Sequence, residues 1–123
     1  MAIERATVGD EPIELARRIV DLASDRQAVD VVLLDISKVS SFADYFVICS
    51  GTSERQIKAI VDSVTETLEH DGVDALHVEG DPTSGWVLID FGAVIVHVFA
   101  PAERDYYRLE RLWQNAPTIL RVQ

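Results

Sequence analysis

Apolar residues first recur at helical spacing between Ile13 and Ala23. There Ile13, Leu15, Ala16, Ile19, Val20, Leu22 and Ala23 form a wide stripe, and Glu14, Arg17, Arg18 and Asp21 fall on the other side. Asp10-Glu11-Pro12 opens this helix well: Asp10 is the expected N-cap, acid stands in the first turn, and proline sits near N1, where its missing N–H leaves no bond unmade. The period then changes. Val31-Val32-Leu33-Leu34-Asp35-Ile36 is β-branched, of strand length and without alternation, which predicts a strand buried on both faces. The polar link Ser37 to Asp44 leads to a second strand, Tyr45 to Ser50. Gly51-Thr52-Ser53 ends that strand. Ser53 and Gln56 then stand at capping-box spacing ahead of a helix carrying Ile57, Ile60, Val61, Val64 and Leu68, which Asp71-Gly72 stops.

Three short strands are predicted next: Leu76 to Glu79, Trp86 to Phe91 and Val94 to Phe99. Asp81-Pro82 with Gly85, and then Gly92, supply the turns, and the last two strands form a hairpin. Pro101 starts a final helix, Ala102 to Ala116, with Tyr106, Leu109, Leu112 and Trp113 on its apolar side and Glu103, Arg104, Arg108 and Arg111 elsewhere; Pro117 ends it. The expectation is one α/β domain over residues 11–117, a mixed five-stranded sheet with three helices in the order αββαβββα. Residues 1–10 are then a flexible N-terminus and 118–123 a C-terminal tail.

That element count has a geometric consequence. Five strands at ~4.8 Å spacing make a sheet about 20–24 Å wide, and helices ~10 Å across cover one such face in pairs. Three helices therefore leave part of one face bare. In the hairpin, Val87, Ile89 and Phe91 alternate with Trp86, Leu88 and Asp90, while Val94, Val96 and Val98 alternate with Ile95, His97 and Phe99. The purely apolar set is core. The mixed set reads as a contact surface with an aromatic anchor or as ordinary core beneath a helix, and the pattern leaves both open.

Charge narrows the class of partner. The chain has 21 carboxylates against 11 Lys plus Arg, a formal net charge of −10. Direct nucleic-acid binding is disfavoured, because no basic footprint exists to displace phosphate counterions. Between Ala59 and Glu103 stand Asp62, Glu66, Glu69, Asp71, Asp74, Glu79, Asp81, Asp90 and Glu103, with no Lys or Arg. Such a stretch either keeps the protein in solution or steers it toward a basic partner. The single cysteine, Cys49, lies in the apolar run Tyr45 to Cys49 and reads as a buried small hydrophobe, which fits a reducing cytoplasm. No apolar run approaches the ~20 residues needed to span a bilayer and no leader opens the chain, so a soluble protein away from membranes is expected.

Catalytic chemistry finds little footing. Gly51-Thr52-Ser53 precedes a helix but lacks both the phosphate-loop lysine and the dinucleotide glycine triplet. A strand, a small-residue turn and a helix also suggest nucleotidyltransferases, whose metal ions need two alternating carboxylates on a following strand; no Asp-x-Asp pair follows Gly51. His70, His77 and His97 show no metal spacing, and there is no Gly-x-Ser-x-Gly elbow. No cofactor and no enzymatic activity are expected. The shared parity of His97 and Asp90 suggests a pair across the hairpin.

Four segments together resemble the ribosomal silencing factor family, also called RsfS or Iojap-like. They are Ala43 to Gln56 (ADYFVICSGTSERQ), Gly85 to Asp90 (GWVLID), Val96 to Phe99 (VHVF) and Arg104 to Trp113 (RDYYRLERLW). The resemblance implies a degenerate nucleotidyltransferase-like fold. It also implies a factor that binds large-subunit ribosomal protein fourteen on the intersubunit face, sterically blocks joining of the small subunit and represses translation. A role in large-subunit assembly and a residual nucleotide-dependent enzyme are the alternatives. Within these motifs the expected contacts are Trp86, Leu88 and Phe99 as apolar groups and Glu79, Asp81 and Asp90 as acidic ones, with Arg104 and Tyr107 completing the patch. A homodimer is the other assembly that such a face allows.

Overall fold

The computed structural model describes residues 11–123; the expected Asp10 cap and the 1–10 segment lie outside them. Helix α1 (Pro12–Asp25) has Glu11 at its N-cap position with no side-chain cap bond, and it buries Leu15, Ala16, Ile19, Val20, Leu22 and Ala23 as the stripe requires. Strand β1 (Val29–Asp35) begins with a bulge at Asp30, whose φ is 49°, and pairs antiparallel with β2 (Tyr45–Ser50). Helix α2 (Glu54–His70) starts where the sequence says: Ser53 accepts from the Gln56 backbone N–H. Strands β3 (His77–Glu79), β4 (Trp86–Asp90) and β5 (Val94–Phe99) follow, with a 3-10 turn at Pro82–Ser84 between the first two. Gly80, ahead of that turn, has a φ of 83°, and a Cβ there would fall 2.2 Å from the Trp86 carbonyl oxygen, so glycine is required for the close approach.

Two elements differ from expectation. The supposed tail is a strand, β6 (Thr118–Val122), paired antiparallel with β1, so among the described residues the sheet has six strands in the order β3-β4-β5-β2-β1-β6. The supposed final helix is two short ones, α3 (Pro101–Tyr107) and α4 (Leu109–Leu112), separated by Arg108 at a φ of 50°. The break re-aims the second half: Leu109 and Ala116 are buried against the sheet, whereas Tyr106 and Leu112 are exposed. All strand pairs are antiparallel except β2 with β5, which makes the sheet mixed.

The sheet has two unlike faces. Helices α1 and α2 seal one of them over Val31, Leu33, Val47, Cys49, Val87, Ile89, Val94, Val96 and Val98. The other carries Val32, Leu34, Phe46, Ile48, Ile95 and Phe99, and among the described residues the α3–α4 segment, the turn at Ala116 and the link between β1 and β2 with Ile36, Phe42 and Ala43 cover it in part. That cover reaches β4 through Tyr107 of α3, whose ring lies 4.6 Å from that of Trp86, and leaves Trp86 and Leu88 half-buried.

Candidate functional site

Strand register decides which side chains meet on the half-covered face. Glu79 lies beside Leu88 and Leu88 beside His97; His77 lies beside Asp90 and Asp90 beside Ile95; Trp86 lies beside Phe99. Because successive residues alternate between faces, His77, Glu79, Trp86, Leu88, Asp90, Ile95, His97 and Phe99 project to one side. Along β4 the burial alternates with the same period: Val87 and Ile89 are sealed, and Trp86, Leu88 and Asp90 are half-open. The parity read from the sequence therefore places an aromatic and an acidic group together on the face that the α3–α4 segment covers only in part.

Trp86 is held on three sides. Its ring centroid is 5.0 Å from Phe99 and 4.6 Å from Tyr107 of α3, and its Nε1–H donates to His97 Nδ1 at 3.2 Å. From His97 the rings continue across the sheet, to Phe46 at 4.7 Å, then Trp113 at 5.3 Å, then Phe42 at 6.0 Å. Phe42 is 60% exposed. This part of the surface escaped sequence reasoning, although Phe42, the one aromatic residue in the mainly polar link Ser37 to Asp44, was the available signal. A shallow groove of about 200 Å³ runs beside Trp86 and Leu88, walled by Glu79 and Gly80.

The expected contact residues do not all stand open. Trp86, Leu88, Asp90, Glu79 and Tyr107 gather on this face, Tyr107 being 44% exposed. Phe99 is fully buried beneath Trp86 and Tyr107, so it supports the surface rather than forming it. Arg104 is turned inward, its side chain only 11% exposed. It donates to Glu110 at 2.7 Å, to Ser50 Oγ at 2.9 Å and to the Val29 carbonyl at 3.3 Å, and it lies 3.5 Å from Asp30. The guanidinium thus pins α3 to the start of β1 and the end of β2, which is a structural task. Asp81 is exposed, but its carboxylate caps the 3-10 turn, accepting from Thr83 N and Ser84 N at 2.9 and 3.1 Å; the Thr83 hydroxyl bond foremost holds its pKa below the ordinary value.

The anticipated pair of His97 with Asp90 does not form. Asp90 Oδ1 accepts instead from the Gly92 N–H at 2.7 Å, closing the hairpin turn, and His97 faces Trp86. Burial alone drives the His97 pKa down to about 4, so the ring is neutral at physiological pH. The acidic stretch is also divided. Asp62 pairs with Lys58 and Asp71 with Arg18 on the helix-bearing side, while Glu79 and Asp90 belong to the open face. The Glu79 carboxylate lies 3.3 Å from His77 Nε2 and, among the described residues, has no Lys or Arg partner.

A larger cleft, about 460 Å³, opens at the carboxyl ends of β2 and β5 among Arg104, Arg108, Arg111, Asp30, Asp105 and Glu110. Its deepest cation, Arg104, is already matched by carboxylates, so the cleft offers an incoming anion little that is unsatisfied. Cys49 is buried and its thiol is pushed up to about 12 by desolvation, far from a reactive thiolate. Among the described residues, no helix is long and apolar enough to cross a membrane and no group of three or more His, Cys, Asp or Glu is placed to hold a metal ion.

Comparison with known proteins gives a consistent result. A family model described as ribosomal silencing factor during starvation matches residues 9–123. A ribosomal silencing factor RsfS of Halalkalibacterium halodurans is 42% identical over 106 residues, covering 86% of this chain and 91% of the relative. The Mus musculus protein called mitochondrial assembly of ribosomal large subunit protein 1 is 32% identical over 98 residues, covering 77% of this chain and 43% of that one. A crystal structure of a Chromobacterium violaceum protein matches with a TM-score of 0.81 at 39% identity, covering 85% of this chain and 87% of that chain.

Proposed function

The chain belongs to the family of ribosomal silencing factors, and from that membership we propose that it represses translation by docking the half-covered sheet face onto the large ribosomal subunit. The partner surface in this reading is the basic ribosomal protein numbered fourteen, on the intersubunit side, and the setting is the cytoplasm. The observation that carries the choice of face is the half-exposed Trp86 and Leu88 flanked by Glu79 and Asp90. An apolar anchor gains free energy when the partner dehydrates it, and two carboxylates at its rim favour a positive counterpart over a negative one.

Silencing then needs no catalysis. A module that covers part of the joining face binds the free subunit and not the joined ribosome, so its binding free energy is added to the cost of joining. The strand, small-residue turn and helix at β2 and α2 support a nucleotidyltransferase-like ancestry, with Gly51-Thr52-Ser53 kept as a helix cap and no paired carboxylates retained on a following strand.

Sucrose-gradient cosedimentation tests the reading. The purified protein is expected to travel with large subunits and to lower the fraction of joined ribosomes when both subunits are mixed. Migration at the top of the gradient at every protein concentration up to micromolar refutes it.

A further inference from the structure

Trp86 is the half-open tryptophan that β4 brings to the proposed docking face, and the structure shows what fixes it. A tryptophan on a half-covered sheet has rotamers that lay the indole flat and others that swing it into solvent. Here the Nε1–H is bound to His97 Nδ1 at 3.2 Å, while Phe99 and Tyr107 bracket the ring at 5.0 and 4.6 Å. Stacking alone tolerates sliding and rotation of the rings. A hydrogen bond does not, because it weakens steeply with misalignment.

We propose that His97 is a positioning residue of the docking face: its neutral imidazole presents an acceptor that sets the Trp86 indole as a preformed anchor beside Leu88. This rests on the docking reading above. The chemistry of the acceptor explains the choice of residue. His97 is 4% exposed, and its Nε2 has no hydrogen-bond partner among the described residues. Because Nδ1 accepts, the proton of the neutral ring is on Nε2, so the fold tolerates an unpaired buried donor at a site where an aliphatic residue would avoid it. Every other residue buried on this strand, Val94, Ile95, Val96, Val98 and Phe99, is apolar. A protonated imidazole would carry no acceptor, and desolvation keeps the ring neutral well below physiological pH. Pre-setting the anchor lowers the ordering cost of association, since its rotamer is chosen before the partner arrives.

His97→Leu removes the acceptor and keeps buried bulk, and His97→Asn restores an acceptor at the position of Nδ1. Two readouts are taken on the full chain. The first is the indole N–H resonance and its hydrogen exchange in the free protein, with Trp113 as internal reference. The second is cosedimentation affinity for large subunits. In His97→Leu the Trp86 N–H signal is expected to move upfield and exchange faster while Trp113 stays in place. Affinity is expected to fall about fivefold, the worth of one ordinary hydrogen bond, and Asn is expected to recover most of both effects.

An unmoved indole signal in His97→Leu overturns the proposal, and so does wild-type affinity with the indole released. Equal losses of affinity in Leu and Asn, with the indole restored in Asn, overturn it as well, because the effect then belongs to core packing. If His97→Leu does not fold, the Asn variant and Trp86→Phe carry the test: Trp86→Phe lacks the N–H and is expected to lose affinity as Leu would, and wild-type affinity in it overturns the role. Trp86→Ala separates the two claims. Full affinity in that variant removes the docking face itself and the role of His97 with it. Lost affinity in Trp86→Ala beside full affinity in His97→Leu removes only the positioning role.

Discussion

The two faces of this sheet are made by the same strands from different chemistry. The sealed face is aliphatic almost without exception, and two amphipathic helices lie over it. The half-covered face shares that aliphatic floor in Val32, Leu34, Ile48 and Ile95 but adds the rings of Phe46, Trp86, His97, Phe99 and Trp113, under a helical segment that breaks after Tyr107. Aliphatic side chains gain by leaving water and have no orientation to keep, which suits a surface whose task is to hold the fold together. An indole offers a large apolar area and one directional N–H, which Trp86 directs inward to His97 so that the open side of its ring is left for a partner to complete. Stability and recognition are therefore expected to separate by face, and each prediction below puts that separation at risk.

The largest effect belongs to the sealed side. Ile60 of α2 is fully buried there, so Ile60→Ala is expected to lower stability by about 3–4 kcal/mol, with transfer and cavity contributions together. Urea unfolding reads the loss. Binding to large subunits, corrected for the folded fraction, should not change. A loss below about 1 kcal/mol, or weaker binding by folded molecules, breaks the contrast.

The second effect shows that the aromatic face is linked to the fold through one proton. His97 has a folded pKa of about 4 against an ordinary 6.5. As pH falls below 6.5 the unfolded chain takes up a proton that the folded ring refuses until about 4. Stability from this group is thus complete above pH 6.5, declines between 6.5 and 4, and is gone below. The full difference corresponds to about 3 kcal/mol. Asp35 and Asp81, whose pKa values are held below 3.8 chiefly by the hydroxyls of Ser37 and Thr83, lose their share only under that window. Denaturant midpoints measured from pH 7 to 4 should fall in wild type and be flatter in His97→Asn. Parallel curves would mean that another group carries the slope.

The contrast also explains what the sequence made legible. Helix α1, helix α2 and the β4–β5 hairpin follow from periodicity, Ser53 and Gly92, because their burial partners impose a simple period. The parity of Trp86, Leu88 and Asp90 was readable for the same reason. The break at Arg108 was not: neither glycine nor proline stands between Pro101 and Pro117, so the helical period runs on. Tertiary bonds from Arg104 to Ser50 and Glu110 favour the turn instead. Strand β6 is five residues long, and its commitment rests on pairing with β1, a partner more than 80 residues away in the chain. The His97 bond to Trp86 was missed because parity alone offered Asp90 as a partner, and only the register shows that Leu88, not Asp90, lies opposite His97.

The smallest effect asks whether the acid on the open face matters more than acid elsewhere. Asp90→Asn removes one charge and keeps an oxygen able to accept from Gly92 N–H, so the hairpin turn survives. Asp21 on α1 is exposed on the sealed side, and Asp21→Asn makes the same change of net charge there. If the partner is basic and meets the aromatic face, Asp90→Asn should slow association with large subunits about twofold to fourfold at low salt, and the difference from wild type should shrink as ionic strength rises. Asp21→Asn should stay within error of wild type. Because the two variants share one net charge, equal slowing in both would mean that the partner senses only the overall charge of −10. The acidic rim of Trp86 would then have no claim to direct the docking.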